Sequence, residues 1–134
     1  MTVLRVGGPA RRGIHEGVQR RGFCDVRPAH GFAFARISAG DATTADIAVH
    51  LGITKQAAAQ LVERGYVERR RHPRDARARL LVRTARGRAC TTAAEEGGAE
   101  TIGTWEKQLG PASYRQLAAA LDALAEPGRL RPPW

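Results

Sequence analysis

Two cysteines in 134 residues, Cys24 and Cys90, exclude a disulfide framework. Aromatic residues make up only 5% of the chain. So few cannot alternate with basic residues to build a stacking platform for single-stranded bases, which argues against a basic RNA-binding domain. No apolar run approaches the ~20 residues needed to span a bilayer, and no membrane partner is expected. The opening stretch MTVLRVGGPARRG has no uninterrupted apolar segment of the secretory type, so a cytoplasmic protein is expected. Catalytic groupings are missing too. No Ser-His-Asp arrangement occurs, Gly7 and Gly8 belong to no phosphate-cradling loop, and the carboxylates are scattered. Neither an enzyme nor a cofactor is expected. His15, His30, His50 and His72 lack ligand spacing with Cys or Asp, so no metal is expected either.

Acidic residues are also scarce, 13 against 22 basic ones, giving a net charge of +9. The excess is concentrated. Between Tyr66 and Arg88 lie nine arginines, at positions 69, 70, 71, 74, 77, 79, 83, 86 and 88, opposed only by Glu68 and Asp75. Nine minus two leaves +7 in this stretch and +2 in all the rest. Charge so focused must be solvated by water or by a polyanion. With the pattern that precedes it, it points to double-stranded DNA.

At 134 residues a single domain is expected, with an Ala- and Leu-rich apolar set that favours packed helices. Residues 1–9 read as a loose arm, punctuated by Gly7, Gly8 and Pro9. A short helix is expected over 10–21, with Ile14 and Val18 at i, i+4. Pro28 opens a second helix, about 28–39, ended by Gly40, with Phe32, Ala35 and Ala39 on its inner face. Thr43 followed by Asp46 is a capping-box arrangement that starts a helix over about 44–51. Gly52 turns the chain, Ile53 plugs the core, and Thr54 caps a helix from Lys55 to about Arg64. Two short helices with a tight glycine turn are a helix-turn-helix pattern.

After Gly65, YVERRR (66–71) and RLLVRT (79–84) read as strands joined by HPRDARA (72–78), an arginine-rich hairpin wing. Val67 with Leu81, or Leu80 with Val82, would face the core. A long helix comes next, from Ala85 to Leu109, with Cys90, Ala94, Gly97, Ile102, Trp105 and Leu109 as its seam. A last helix spans about 112–126. The expected fold is therefore mainly α with a small β-hairpin wing: a winged helix-turn-helix with N- and C-terminal dimerisation helices. Its DNA-binding lobe would be 28–84, its dimerisation helices 1–27 and 85–126, and its tail 127–134. The terminal seams are better buried against a second copy, so a homodimer is expected, with two recognition helices about 34 Å apart.

On the recognition helix, Lys55 can donate to guanine O6 and N7. Gln56 and Gln60 can pair with adenine N6 and N7. Thr54 can reach a phosphate while capping the helix.

TTADIAVHLGITKQAAAQLV (43–62), ERGYVERR (63–70) and PRDARARLLVRTARGRA (73–89) resemble the MarR family, the multiple-antibiotic-resistance regulators. Those are dimeric winged helix-turn-helix repressors. The likeness covers about 40–90, and RPAHGFAFARI (27–37) is similar to the family's second helix. It implies a ligand-responsive repressor binding a palindromic operator. It implies that Arg77 and Arg74 reach the minor groove or its phosphates, with Arg79 a backbone contact alongside Arg69, Arg70 and Arg71. Asp75 would brace the wing by pairing with a neighbouring arginine. It places His30 near a cleft that takes small phenolic or aromatic ligands. Some relatives sense peroxide through a cysteine, but no activating partner for Cys24 is visible in the sequence. Cys90, on the apolar seam, reads as a core residue.

Two features depart from the family. About one helical turn is missing between Val62 and Glu63, which rotates the next segment by only ~40° but draws the wing ~6 Å closer. Arg83 stands where the family has an apolar residue. The competing reading is a protein-interaction module on this fold that has lost specific DNA binding.

Overall fold

The computed structural model describes the backbone of residues 2–40, 42–51 and 55–124. The side chains of 2–7, 29, 50, 51 and 55–58 lie outside that description. Gly52, Ile53 and Thr54, expected as turn, plug and cap, fall outside it entirely, as does the expected tail.

Among the described residues six helices and one hairpin occur in this order: α1 (Thr2–Arg20), α2 (Pro28–Ser38), α3 (Thr44–Leu51), α4 (Lys55–Glu63), β1 (Val67–Arg71), β2 (Arg79–Arg83), α5 (Ala85–Leu109) and α6 (Pro111–Leu124). The expected architecture is thus observed: mainly α, with one antiparallel two-stranded sheet that pairs Val67 with Arg83 and Arg71 with Arg79. Thr43 forms an isolated bridge to Leu80, and the Leu81 amide donates to the Ala42 carbonyl, which stitches the start of α3 to the wing.

Local signals account for most boundaries. Asp46 accepts from both the amide and the hydroxyl of Thr43, at 2.8 Å, while the Asp46 amide returns to Thr43 Oγ1. The α4 helix closes in a Schellman turn. The Tyr66 amide bonds the Leu61 carbonyl, the Gly65 amide bonds Val62, and Gly65 takes φ +72°. Thr84 caps α5 by accepting from the Gly87 amide at 3.1 Å and donates its hydroxyl to Gly65 O at 2.6 Å.

The first expectation to fail is the loose arm: α1 begins at Thr2, not near residue 10. Its later turns are pinned against α5, where Gly17 and Gly97 let the two backbones nearly touch, since a Cβ on Gly17 would stand 2.6 Å from the Gly97 Cα. Arg20 and Arg21 clasp Glu100, and Arg21 also holds Glu96 at 2.6 Å. A helix nucleated this way extends cheaply, because propagation fixes one residue per added bond. The run therefore passes through Pro9 despite one missing backbone hydrogen bond.

The inner face of α2 also differs from expectation. His30, Ala33, Phe34 and Ile37 are buried, whereas Ala35 and Ala39 are exposed and Phe32 is only half-buried. Contact with α3, β2 and α5 selects that stripe. The core joins it to Ile47, Leu61, Tyr66, Val67, Leu81 and Cys90. On α5 the expected seam holds only in its first half. Gly87, Cys90, Ala93 and Gly97 are buried, while Ile102 and Leu109 are 43% and 46% exposed. No residue of α6 is buried.

Candidate nucleic-acid interface

The helix-turn-helix is made by α3 and α4, and the wing is reached directly from the Schellman turn that ends α4. With nine residues, α4 is short, yet its core face stays in phase: Leu61 and Tyr66, on either side of the turn, are both fully buried. Lys55 and Gln56 lie in its first turn, but their side chains are outside the described residues, as is all of Thr54. Gln60 is half-buried, and its carbonyl accepts the Arg64 amide.

The nine arginines divide by what they touch. Arg83, the departure from an apolar position, turns along α5 and donates to Thr91 Oγ1 at 3.1 Å. Arg88 donates to the Arg83 carbonyl at 2.9 Å. Arg86 lies over the Tyr66 ring, its Cζ 4.7 Å from the ring centre. Arg70 pairs with Glu68, its Nε 2.8 Å from the carboxylate. Arg79 folds onto the turn of its own hairpin, where Nη1 donates to the Ala76 and Ala78 carbonyls at 3.0 Å each. It holds the wing tip in shape, a role that spacing alone did not reveal. Four arginines remain. Among the described residues no acceptor meets the guanidinium of Arg69, Arg71, Arg74 or Arg77, and all four are exposed on the hairpin.

Asp75 accepts the backbone amide of Arg77 at 2.9 Å, and its carbonyl accepts the Ala78 amide. It therefore folds the loop through the main chain rather than by pairing with a neighbouring guanidinium as expected. Such an Asx turn holds the Arg77 backbone and leaves its side chain unengaged. His72 Nδ1 accepts the Arg74 amide at 3.1 Å in the same way.

Behind this surface lies a cavity of about 220 Å³ between α1, α2 and α5. Ile14, Val18, Val26, Phe32, Phe34 and Cys90 give it an apolar wall, Arg11, His15 and Arg27 are its basic groups, and no carboxylate lines it among the described residues. His30, expected at this cleft, is not part of its lining. In the first turn of α2 its Nδ1 is occupied by the Arg27 amide at 3.1 Å, and the ring is 4% exposed. Burial, with the Arg64 and Arg27 cations near, holds the imidazole below its ordinary value of 6.5. His15 is the histidine at the cavity instead. It shares one face of α1 with Arg11 and Ile14, at i, i+3 and i+4 within the helix already expected over 10–21.

Burial pushes the Cys90 thiol up to about 11, so it stays protonated. Cys24 is exposed, and its Sγ contacts the Gln19 carbonyl at 3.7 Å. Among the described residues no group of three His, Cys, Asp or Glu side chains is placed to hold a metal ion, and no helix is long and apolar enough to cross a membrane.

Two short helices, a hairpin carrying unengaged arginines and long flanking helices define a winged helix-turn-helix protein. Residues 27–78 match the MarR family model. Over most of its length the chain is similar to wild-type MarR of E. coli in its apo form (TM-score 0.75, 22% identity, covering 93% of this chain and 94% of that one). It is similar to the transcriptional repressor CouR bound to a 23-mer DNA duplex (TM-score 0.68, 23% identity, 93% and 90% covered). It is also similar to a MarR family protein of Mycobacterium tuberculosis in complex with salicylic acid (TM-score 0.70, 22% identity, 92% and 93% covered). No curated protein matches the chain. Residues 27–78 thus resemble the MarR family in sequence, and the chain has the fold seen in solved MarR-family transcriptional regulators.

Proposed function

We propose that this chain is a cytoplasmic, DNA-binding transcriptional repressor that works as a homodimer on a palindromic operator. The observation that carries this reading is the set of four unengaged guanidinium groups, Arg69, Arg71, Arg74 and Arg77, on a hairpin placed directly after the helix-turn-helix. Arg74 and Arg77 enter the minor groove or hold its phosphates, and Arg69 and Arg71 meet the backbone. Lys55, Gln56 and Gln60 read base edges in the major groove, and Thr54 holds a phosphate.

A second copy is the partner that suits the apolar faces left open on α5 and α6. Ile102, Leu109, Leu117 and Leu121 are each 41–46% exposed. The two recognition helices of a two-fold dimer would then fall about 34 Å apart, one turn of duplex.

The cavity between α1, α2 and α5 takes a small aromatic carboxylate. Its wall is apolar, its charged groups among the described residues are basic, and a structural relative carries salicylic acid. Such a ligand shifts the spacing of the two lobes and so the balance between DNA-binding and non-binding states.

The test is a salt titration of binding to the DNA upstream of the gene and to a random duplex. Four free arginines in each of two protomers make eight, which sets the slope of log K against log salt at about −7. Tighter binding to the upstream DNA supports the reading. Equal affinities with a slope near zero would favour a protein-interaction module on the same fold.

A further inference from the structure

Three segments distant in the chain meet at one polar cluster. Asp25 lies in the turn between α1 and α2. Tyr66 comes after the glycine that closes α4 and is the residue before β1. Arg86 belongs to the first turn of α5. The Tyr66 hydroxyl, on a fully buried residue, donates to Asp25 Oδ1 at 2.5 Å. Arg86 covers the Tyr66 ring and brings Nη2 to 3.2 Å from the hydroxyl and 3.4 Å from Asp25 Oδ1. Arg64, at the end of α4, donates to the Asp25 carbonyl. The hydroxyl holds the Asp25 carboxyl below its ordinary value, so the acceptor stays ionised and the bond charge-assisted.

Each end of this cluster leads somewhere. On one side Val26 and Arg27 come directly after Asp25 and line the cavity. On the other, the Tyr66 carbonyl accepts the Thr84 amide at 3.1 Å, and Val67 opens the hairpin opposite Arg83. Packing alone would be served by phenylalanine, for Phe23 and Phe34 already flank the ring at 6.3 and 5.9 Å.

We infer that Asp25, Tyr66 and Arg86 are positioning residues that tie the root of the wing to the α1–α2 turn, so that a shift of the cavity wall at Val26 and Arg27 is carried to the β1–β2 hairpin. The tie itself does not depend on what binds the cavity or the wing; its regulatory use rests on the function proposed above.

Amide hydrogen exchange on the free full-length protein tests it, with Tyr66→Phe, Asp25→Asn and the double variant. Both substitutions keep the side-chain volume, and the Asp25 side chain is 41% exposed. Each single variant is expected to speed exchange roughly tenfold in both the 21–27 turn and the wing strands, the scale of one lost charge-assisted bond. The α1–α5 pair should keep its protection, and the double variant should match Tyr66→Phe, since Asp25→Asn takes the charge from the same bond that Tyr66→Phe removes.

An effect confined to the substituted residue's own segment overturns the inference. So do additive effects, or a uniform rise that includes α5, which would mark a bond serving stability alone. DNA titration of the same proteins separates the two readings. Exchange that spreads as described in a protein that binds no DNA would leave the tie standing and remove the repressor.

Discussion

Removing the Arg77 guanidinium from both protomers should weaken DNA binding about 60-fold at 0.1 M salt and leave the fold unmoved. Arg77→Ala deletes an exposed side chain that meets no acceptor among the described residues. The one contact that fixes its place, the backbone amide on Asp75, survives the change. Two lost phosphate neutralisations lower the magnitude of the salt slope by about 1.8, from about −7 to about −5. At 0.1 M that difference is about 1.8 decades, or ~2.5 kcal/mol. Fluorescence anisotropy from 50 to 300 mM salt reads both quantities, and a thermal melt checks the fold. Arg70→Ala is the internal comparison: Arg70 already has Glu68, so its loss should move the slope by less than half as much. A wild-type slope in Arg77→Ala, or equal effects of the two substitutions, would refute the partition of the arginines.

Other parts of the molecule can be tested in the same spirit. A Cβ on Gly87 would stand 2.1 Å from the Tyr66 carbonyl oxygen, so Gly87→Ala should cost about 1–3 kcal/mol in a denaturant titration. Gly103→Ala, on the same helix with nothing within 4 Å, should stabilise by up to ~1 kcal/mol. Because the folded-state value of His30 lies below 6.5, the unfolded chain takes up a proton first as pH falls. Stability is present above about 6.5 and is lost below it, until the folded value is passed. His30→Asn should flatten the pH dependence of the unfolding free energy between pH 7 and 5, to which His30 contributes no more than about 1.4 kcal/mol per pH unit. Leu121→Asp, on the α6 face that is 44% exposed, should raise the monomer fraction in sedimentation, and an unchanged dimer would relocate the interface.

The features legible in the sequence were those with local causes. Thr43 and Asp46 cap one another within four residues, Gly65 turns the chain beyond α4, and Thr84 opens α5 at the expected place. The errors came where a distant partner decides. The first turns of α1 look unhelical through Gly7, Gly8 and Pro9, but the surface that supports the helix is on α5, about 80 residues away. The family likeness placed His30 near a cleft, yet its nitrogen is taken by a backbone amide and its ring by the core. Charge count located the basic hairpin, while the separation of free from engaged arginines needed coordinates, since Arg83 and Arg79 find acceptors only once the chain is folded. The Asp25–Tyr66 bond, 41 residues apart in sequence, carries no pattern at all.

At 25 residues, α5 is about 37 Å long. One end lies beside the open apolar face, and the other holds Arg86 and Gly87 against the wing root. A pivot of about 5° at the far end would swing the near end through roughly 3 Å, the length of a hydrogen bond. A helix moving so would act as a lever, turning a small adjustment at one end into a displacement large enough at the other to make or break a contact.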